Sequence, residues 1–379
     1  MSDISSNVTV GSLSGDILNG GWKCTLTTMQ DTDILERHQG VQVTWRPSLG
    51  GNFGSPLPAF SGHVFLHKMR FTGTHAMAEI EACTTDEFLR DSWMQGIHFR
   101  DVGAAFRVHF HEDDNAHGNL TLGKIVRHIL GYKDAAWWVS HTNTVFNGIE
   151  NKSGWIGIDD VVISAFDAVA NPLGSMRTDS YIVEETDNIW RTLQQIAGNE
   201  FFTIYFDKLN NLHYKRHPMF QAVLPDPVMV LTAAHLVGAP EVELRPEFGT
   251  YAESGYQIVL HAVTDDGSTL HASVPDSGEM RVQGKRKEIS YVRCNAQAAL
   301  TFWARRLYDY ETREYTVRIE LPGMSGLLFE LLDRVAITYV GTAYTGLDIN
   351  WTNKMFWIHK IDVTPDKSML TLESENSSI

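Results

Sequence analysis

The sequence predicts a mainly β protein in which two β domains flank a small α+β insert. Three observations carry this. Short runs of β-branched and aromatic residues bounded by turn residues fill the first hundred positions and return from about residue 225. Between them, apolar residues recur at helical spacing. A phrase near the end of the first β region, FLHKMRFTGTHAMAEIEA at 65–82, returns as WIHKIDVTPDKSMLTLES at 357–374, 292 positions on (357 − 65). The domains read as 1–100 (β), 101–222 (α+β insert) and 223–379 (β).

In the first region GWKCTLTTM (21–29), VQVTW (41–45), GHVFLHKMRF (62–71) and THAMAEIEAC (74–83) are strand-like, and the Gly- and Pro-rich 48–60 reads as an irregular loop. Thr84-Thr85-Asp86-Glu87 has the form of a capping box, so a short helix through Phe88 and Trp93 is expected. In the insert, Leu122, Ile125, Val126, Ile129 and Leu130 share one helical face ending at Gly131, and Ile189, Trp190, Leu193 and Ile196 share another ending at Gly198. A hairpin over 200–217 with a KLNN turn follows directly. In the last region 256–263 and 270–274 form a hairpin about an Asp-Gly turn. Asn295 is expected to cap a helix that places Ala299, Leu300, Trp303, Leu307 and Tyr310 on one face. Alternating strands at 313–321 and 332–340 lead to the closing hairpin.

The two copies of the phrase match at His67/His359, Lys68/Lys360, Thr72/Thr364, Met77/Met369 and Glu81/Glu373. Each is an alternating run, a turn and a second alternating run, which is the signal of a hairpin. The copies close the first β region's hairpin and the chain's last one, so the repeat reads as an internal duplication.

Composition narrows the function. Thirty-one Lys and Arg against 46 Asp and Glu leave a net charge of −15, which argues against a nucleic-acid reader. No apolar run approaches the roughly 20 residues of a membrane helix. The first residues lack the basic and apolar regions of a secretory signal. Cys24, Cys83 and Cys294 lie far apart and read as buried or free thiols of a reducing compartment. Ten Trp and eighteen Phe suit large subunit contacts as well as sheet cores.

The stretch with the most chemistry is RVHFHEDDNAHGN (107–119). His109 and His111 alternate on a strand, and Asp113, Asp114 and His117 follow, a set from which a zinc or iron site could be built. The alternative is a polar loop between a strand and a helix. No P-loop, dinucleotide fingerprint or nucleophile elbow occurs. The basic cluster GKRKE (284–288) reads as a solvated loop or a contact for an acidic neighbour, and His63, His67 and His359 as exposed or satisfied histidines rather than a pH switch. No catalytic, cofactor-binding or metal residue is nominated, and no enzyme activity is expected.

Three stretches carry a resemblance. TDNIWRTLQQIAGNEFFTIYFDKLNNLHYKR, the helix from Asn295 with REYTVRIELPGMSGLLFELLDRVAITYV, and WIHKIDVTPDKSMLTLES are similar to baseplate hub proteins of phage tails and contractile injection systems, the group that includes the late-control D proteins. Together they cover roughly the C-terminal half. The resemblance implies two tail-tube-like β-barrel domains per chain. It further implies a homotrimer whose six barrels surround a channel, with a tail tube or distal tail protein, a central spike or tail-tip protein and other baseplate proteins as partners. DNA would touch it only in passage, in a virion assembled in the host cytoplasm. Three scattered cysteines do not supply the iron–sulfur module of some wider hub families. The sequence ends directly after the last hairpin, so the lysozyme insert or host-binding extension of others is not expected here. Other readings of the same residues are a metal-assisted hydrolase of the tail tip and a carbohydrate-binding β protein.

Overall fold

The structure, a computed structural model, describes residues 8–28, 40–45, 48–49, 52–53, 55–72, 75–91, 107–111, 122, 126, 163–166, 180–184, 187–199, 201–220, 223–244, 257–264, 267–275, 286–294, 296–313, 315–342 and 348–375. In chain order the first part holds β1 (Val8–Asp16), β2 (Gly21–Thr28), β3 (Gly40–Trp45), β4 (Ser48–Leu49), β5 (Asn52–Phe53), β6 (Leu57–Thr72), β7 (His75–Cys83) and α1 (Asp86–Arg90). The middle holds β8 (Arg107–His111), β9 (Ile163–Phe166), β10 (Ser180–Glu184), α2 (Ile189–Gly198), β11 (Phe202–Phe206) and β12 (Leu212–Arg216). The last part holds β13 (Met229–Thr232), β14 (Glu241–Leu244), β15 (Gln257–Val263), β16 (Thr269–Val274), β17 (Arg286–Arg293) and α3 (Gln297–Glu311). It closes with β18 (Tyr315–Pro322), β19 (Arg334–Thr342), β20 (Asp348–Val363) and β21 (Lys367–Ser374). The chain is mainly β, as its residue pattern requires.

Eleven of these strands form one sheet, in the order β14-β18-β21-β20-β1-β2-β7-β6-β3, with β19 on β20 and β13 on β19. The order contains one unit twice. In the first half the strands pair β1-β2-β7-β6-β3, and in the second β14-β18-β21-β20-β19, every contact antiparallel. Corresponding strands also follow one another in the same chain order. The repeated phrase is β6–β7 and β20–β21. Adding 292 to the pairs Val64↔Ala82, Lys68↔Glu79, Met69↔Ala78 and Phe71↔Ala76 gives Phe356↔Ser374, Lys360↔Thr371, Ile361↔Leu370 and Val363↔Ser368. Each long strand carries a bulge, at Val64/Leu66 in β6 and two positions later, at Ile358/Lys360, in β20. Register is held because a slip of one residue would turn the buried Ile80 and Leu372 to the other face.

One apolar cluster runs through both halves. Leu13, Trp22, Phe60 and Ile80 belong to it with Val317, Ile358 and Leu372. Two smaller assemblies sit on the sheet. In the first, α2 precedes the β11–β12 hairpin, to which β9 adds in parallel. In the second, β15, β16 and β17 form a separate sheet covered by α3, inserted between β14 and β18. Trp303, Leu300 and Leu307 of α3 pack there with Ile258, Leu260 and Phe220.

Several local expectations needed correction. Residues 8–16, to which the sequence reading gave no strand, form β1. Their alternation is legible only once β1 is paired, with Leu13 buried and Ser14 half-buried. The loop at 48–60 instead holds the β4–β5 ladder and the start of β6. The capping box at Thr84 does not form, because the Thr84 hydroxyl accepts the Trp22 amide at 2.7 Å and faces the Asp86 carboxylate at 2.5 Å. Helix α1 spans only Asp86–Arg90, and Trp93 lies outside the described residues. Helix α3 starts at Gln297 with extended Ala296 at its cap position; no side chain caps it, and Asn295 is outside the described residues. Arg286, Lys287 and Glu288 of the basic cluster are in β17 rather than a loop. Lys287 pairs with Glu311 of α3 at 2.5 Å, the acidic neighbour that was the other reading of the cluster, and Glu288 lies 2.7 Å from His261 of β15.

Candidate functional site

The feature that organises the molecule is the joint between its two repeated units. Strand β20 is long enough to use one edge twice: β19 pairs with Asp348–Trp357 and β1 with Lys360–Val363, while β21 occupies the other edge. At the joint Leu13 faces Val363, Ser14 Asp362, Gly15 Ile361 and Asp16 Lys360, and the Ile17 amide extends the ladder to the His359 carbonyl at 3.0 Å. Leu13, Ile361 and Val363 are buried on one face. On the other, the Ser14 hydroxyl donates to the Asp362 carboxylate, which also pairs with Lys360 at 2.8 Å. Gly15 is required because a Cβ there would lie 2.3 Å from the Trp22 ring.

The same positions in the other halves of the repeat carry no such joint among the described residues. Strand β3 pairs with β6 over Leu57–His63, which leaves Lys68–Phe71, the counterpart of Lys360–Val363, with no strand on that edge among the described residues. Strand β14, the counterpart of β1, pairs among the described residues only with β18.

The turn of the β11–β12 hairpin bolts the α+β module to both units. Asp207 builds this turn by accepting the amides of Leu209 at 2.9 Å and Asn211 at 2.8 Å and facing His213 at 3.0 Å. Burial pushes its pKa up, but the hydrogen bonds from His213 and Asn211 outweigh this and hold it below the usual value. The Lys208 carbonyl accepts the Ser61 amide of β6 at 2.8 Å. Its buried ammonium reaches the other unit, donating to the carbonyls of Leu327 at 2.7 Å and Phe329 at 3.2 Å and pairing with Glu330 at 2.6 Å. Asn210 accepts the Thr85 amide at 2.8 Å, and the Phe206 amide donates to Gly20 at 2.8 Å. Beside this contact Asp86 is almost wholly buried against Gly21. Burial raises its pKa to about 7, against the opposing hydrogen bond from Thr84 and the charge of Arg90.

A second polar cluster lies under α3. Arg313, only 3 % exposed, donates to Glu373 and to the Tyr310 carbonyl, both at 2.6 Å, and its guanidinium lies 3.9 Å from the Tyr310 ring centre. His359 Nε2 is 3.4 Å from the other Glu373 oxygen. Burial pushes the Glu373 pKa up, but the charges of His359 and Arg313 prevail and it lies below the usual carboxylate value. The corresponding Glu81 of the first unit pairs with Lys23 at 3.4 Å. Thus the repeat keeps an acid on the last strand and a cation near the start of the strand beside it. Sequence reading took Arg313 only as the start of a strand; its position three residues after Tyr310 was the available signal.

The other expected site residues are distributed differently. His109 and His111 lie on β8 opposite Ile182 and Ser180 of β10, while Asp113, Asp114 and His117 fall outside the described residues. No group of three or more metal-ligating side chains occurs among the described residues. Leu122 and Val126 are helical and buried; Ile125, Ile129, Leu130 and Gly131 are outside the described residues. Cys24, Cys83 and Cys294 are buried and form no disulfide, and burial raises the thiol pKa of Cys24 to about 12 and pushes that of Cys83 up as well, so neither of these two is an activated nucleophile. His63 sits edge-on to Phe88 at 6.0 Å, and the side chain of His67 is outside the described set.

No family model matches the chain. No curated protein matches it in sequence. Solved structures do. A tail protein from Neisseria meningitidis MC58 superposes with a TM-score of 0.55 at 13% identity, covering 98% of this chain and 96% of that one. The 43 kDa tail protein of prophage MuSo2 from Shewanella oneidensis gives 0.50 at 13% identity, covering 97% of each chain. A prophage tail protein from Listeria monocytogenes EGD-e gives 0.50 at 12% identity, covering 97% of this chain and 89% of that one. At such identities the likeness speaks to architecture, and over nearly its whole length this chain has the fold of these phage tail proteins.

Proposed function

We propose that the protein is a structural hub of a phage tail baseplate, without enzymatic activity. Three chains form a pseudo-sixfold ring that seats on the tail tube, carries the central spike or tail-tip protein and lines the channel. The observation that carries this reading is the five-stranded unit that occurs twice in one chain, in the same strand order and hairpin register. A closed ring needs the same contact at every joint. A chain holding two equivalent units can therefore present six similar positions with three copies, which lets a threefold assembly meet a sixfold tube. The fold shared with the solved tail proteins supports the reading, and so does the charge of −15, since an acidic lumen repels DNA phosphates during passage. The units correspond to the β domains at 1–100 and 223–379, with the insert 101–222 outside the ring wall. The virion is the place of action.

Negative-stain imaging of the purified protein, with solution mass measured on the same sample, tests this. A six-lobed ring with a central hole and the mass of three chains is expected. An assembly of two or four chains without a hole would overturn the ring.

A further inference from the structure

We propose that the face of the β15–β16–β17 sheet turned away from α3 carries a binding site for a divalent transition-metal ion of the zinc class, made by His261, His271 and Glu288. The site does not depend on the ring reading above. Strand β15 is the middle strand of this sheet, with β16 on one side and β17 on the other. Its Ile258, Leu260 and Ala262 are buried with Leu300, Trp303 and Leu307 of α3. Successive side chains of a strand point to opposite faces, so His261 stands on the face away from the helix.

Register brings the three side chains together. His261 lies directly opposite His271 of β16. At the turn the Thr264 amide donates to the Ser268 carbonyl at 2.9 Å, which makes 264 and 268 a hydrogen-bonded pair. Bonded and non-bonded pairs alternate along an antiparallel ladder, so Ala262 and Leu270 are bonded and His261 and His271 are not. Side chains of a non-hydrogen-bonded pair are the closer ones, with Cβ atoms about 4.5–5.5 Å apart. Two imidazoles so placed can hold one ion between them. On the other side, Glu288 of β17 stands beside Val259, two residues from His261 and on the same face. Its Oε1 lies 2.7 Å from His261 Nε2, yet that nitrogen is shielded from water and makes no aligned hydrogen bond. Zinc ligands at about 2.0–2.2 Å from the metal stand roughly 3–3.5 Å from one another, so a small opening of this contact admits the ion.

The three do not converge on one point as they stand. His271 and Glu288 are exposed, so turning of their side chains on fixed strands closes the site. The strand of the second imidazole is itself held, because Gln297 of α3 donates to the His271 carbonyl at 2.8 Å. Two imidazole nitrogens and one carboxylate suit zinc, nickel or copper rather than calcium or magnesium, and exposure leaves the remaining position to water.

Calorimetric titration of the chelator-stripped full chain with zinc at neutral pH tests this. One equivalent per chain is expected. His261→Ala and His271→Ala should each weaken it at least about tenfold, the loss that removing even an outer partner of a metal ligand causes. Absence of zinc binding, or binding unchanged in both variants, would overturn the site. Binding lost in His109→Ala but kept in His271→Ala would place the ion on the histidines of β8 and overturn it equally. Should a variant lose the circular dichroism of the parent, the unaltered protein gives the same answer through acylation by diethyl pyrocarbonate, read peptide by peptide in a mass spectrometer. Zinc should protect His261 and His271, and equal labelling of both with and without zinc would overturn the assignment.

Discussion

Asp86 shows how one side chain couples a short helix to the sheet. Its carboxyl is taken from water by Gly21, Thr84 and Arg90, and burial raises its pKa from 3.8 to about 7. Raised above the unfolded value, it contributes stability that is present in full below the unfolded pKa and is lost as pH rises through the folded one. A shift of this size corresponds to a pH-dependent contribution on the order of 4 kcal/mol. Asp86→Asn keeps the shape and removes the titration. The melting temperature of the variant relative to the parent should rise between pH 4 and 7 and level off above, and parallel pH profiles would show that Asp86 titrates as in water. The sequence exposed Thr84 and Glu87 as a cap pattern but not Asp86 as the buried member. The amide that claims the Thr84 hydroxyl comes from Trp22, sixty-two residues away.

At the scale of elements, the hairpin β11–β12 was readable because its alternation and its turn are local. Its role was not. Lys208 sits in a polar turn, where a lysine is ordinarily solvated, yet it is 8 % exposed and ties the module to the second unit through Leu327, Phe329 and Glu330. Lys208→Met leaves two buried carbonyls and the partly exposed Glu330 carboxylate without their cation and should cost about 3 kcal/mol. A urea midpoint unchanged from the parent would show the clamp to be idle. Strand β1 was missed for the converse reason. Its residues Gly11, Ser12, Ser14 and Gly15 have weak strand preference alone, and β2 and β20 supply the pairing that makes them a strand. Of the two readings of the basic cluster at 284–288, the loop was wrong and the contact with an acidic neighbour held, the neighbour being Glu311 of another element.

At the scale of the molecule, charge and duplication act together. The proposed ring, built from acidic chains, should not hold duplex DNA. The purified assembly is expected to show no retention of duplex DNA as ionic strength is lowered, measured by co-sedimentation. Binding that strengthens steeply as salt falls is the signature of phosphate contacts and would count against an acidic lumen. The sequence by itself determined the mainly β class, the hairpins with local turns, the amphipathic α2 and the repeat of β6–β7 in β20–β21, because each is written in periodicity over a few neighbouring residues. Only the tertiary structure decided that the two units share one core and that β1 bridges them. Strand edges pair through the main chain, which is the same for every residue, so the partner of an edge is chosen by packing and position rather than by the letters along it.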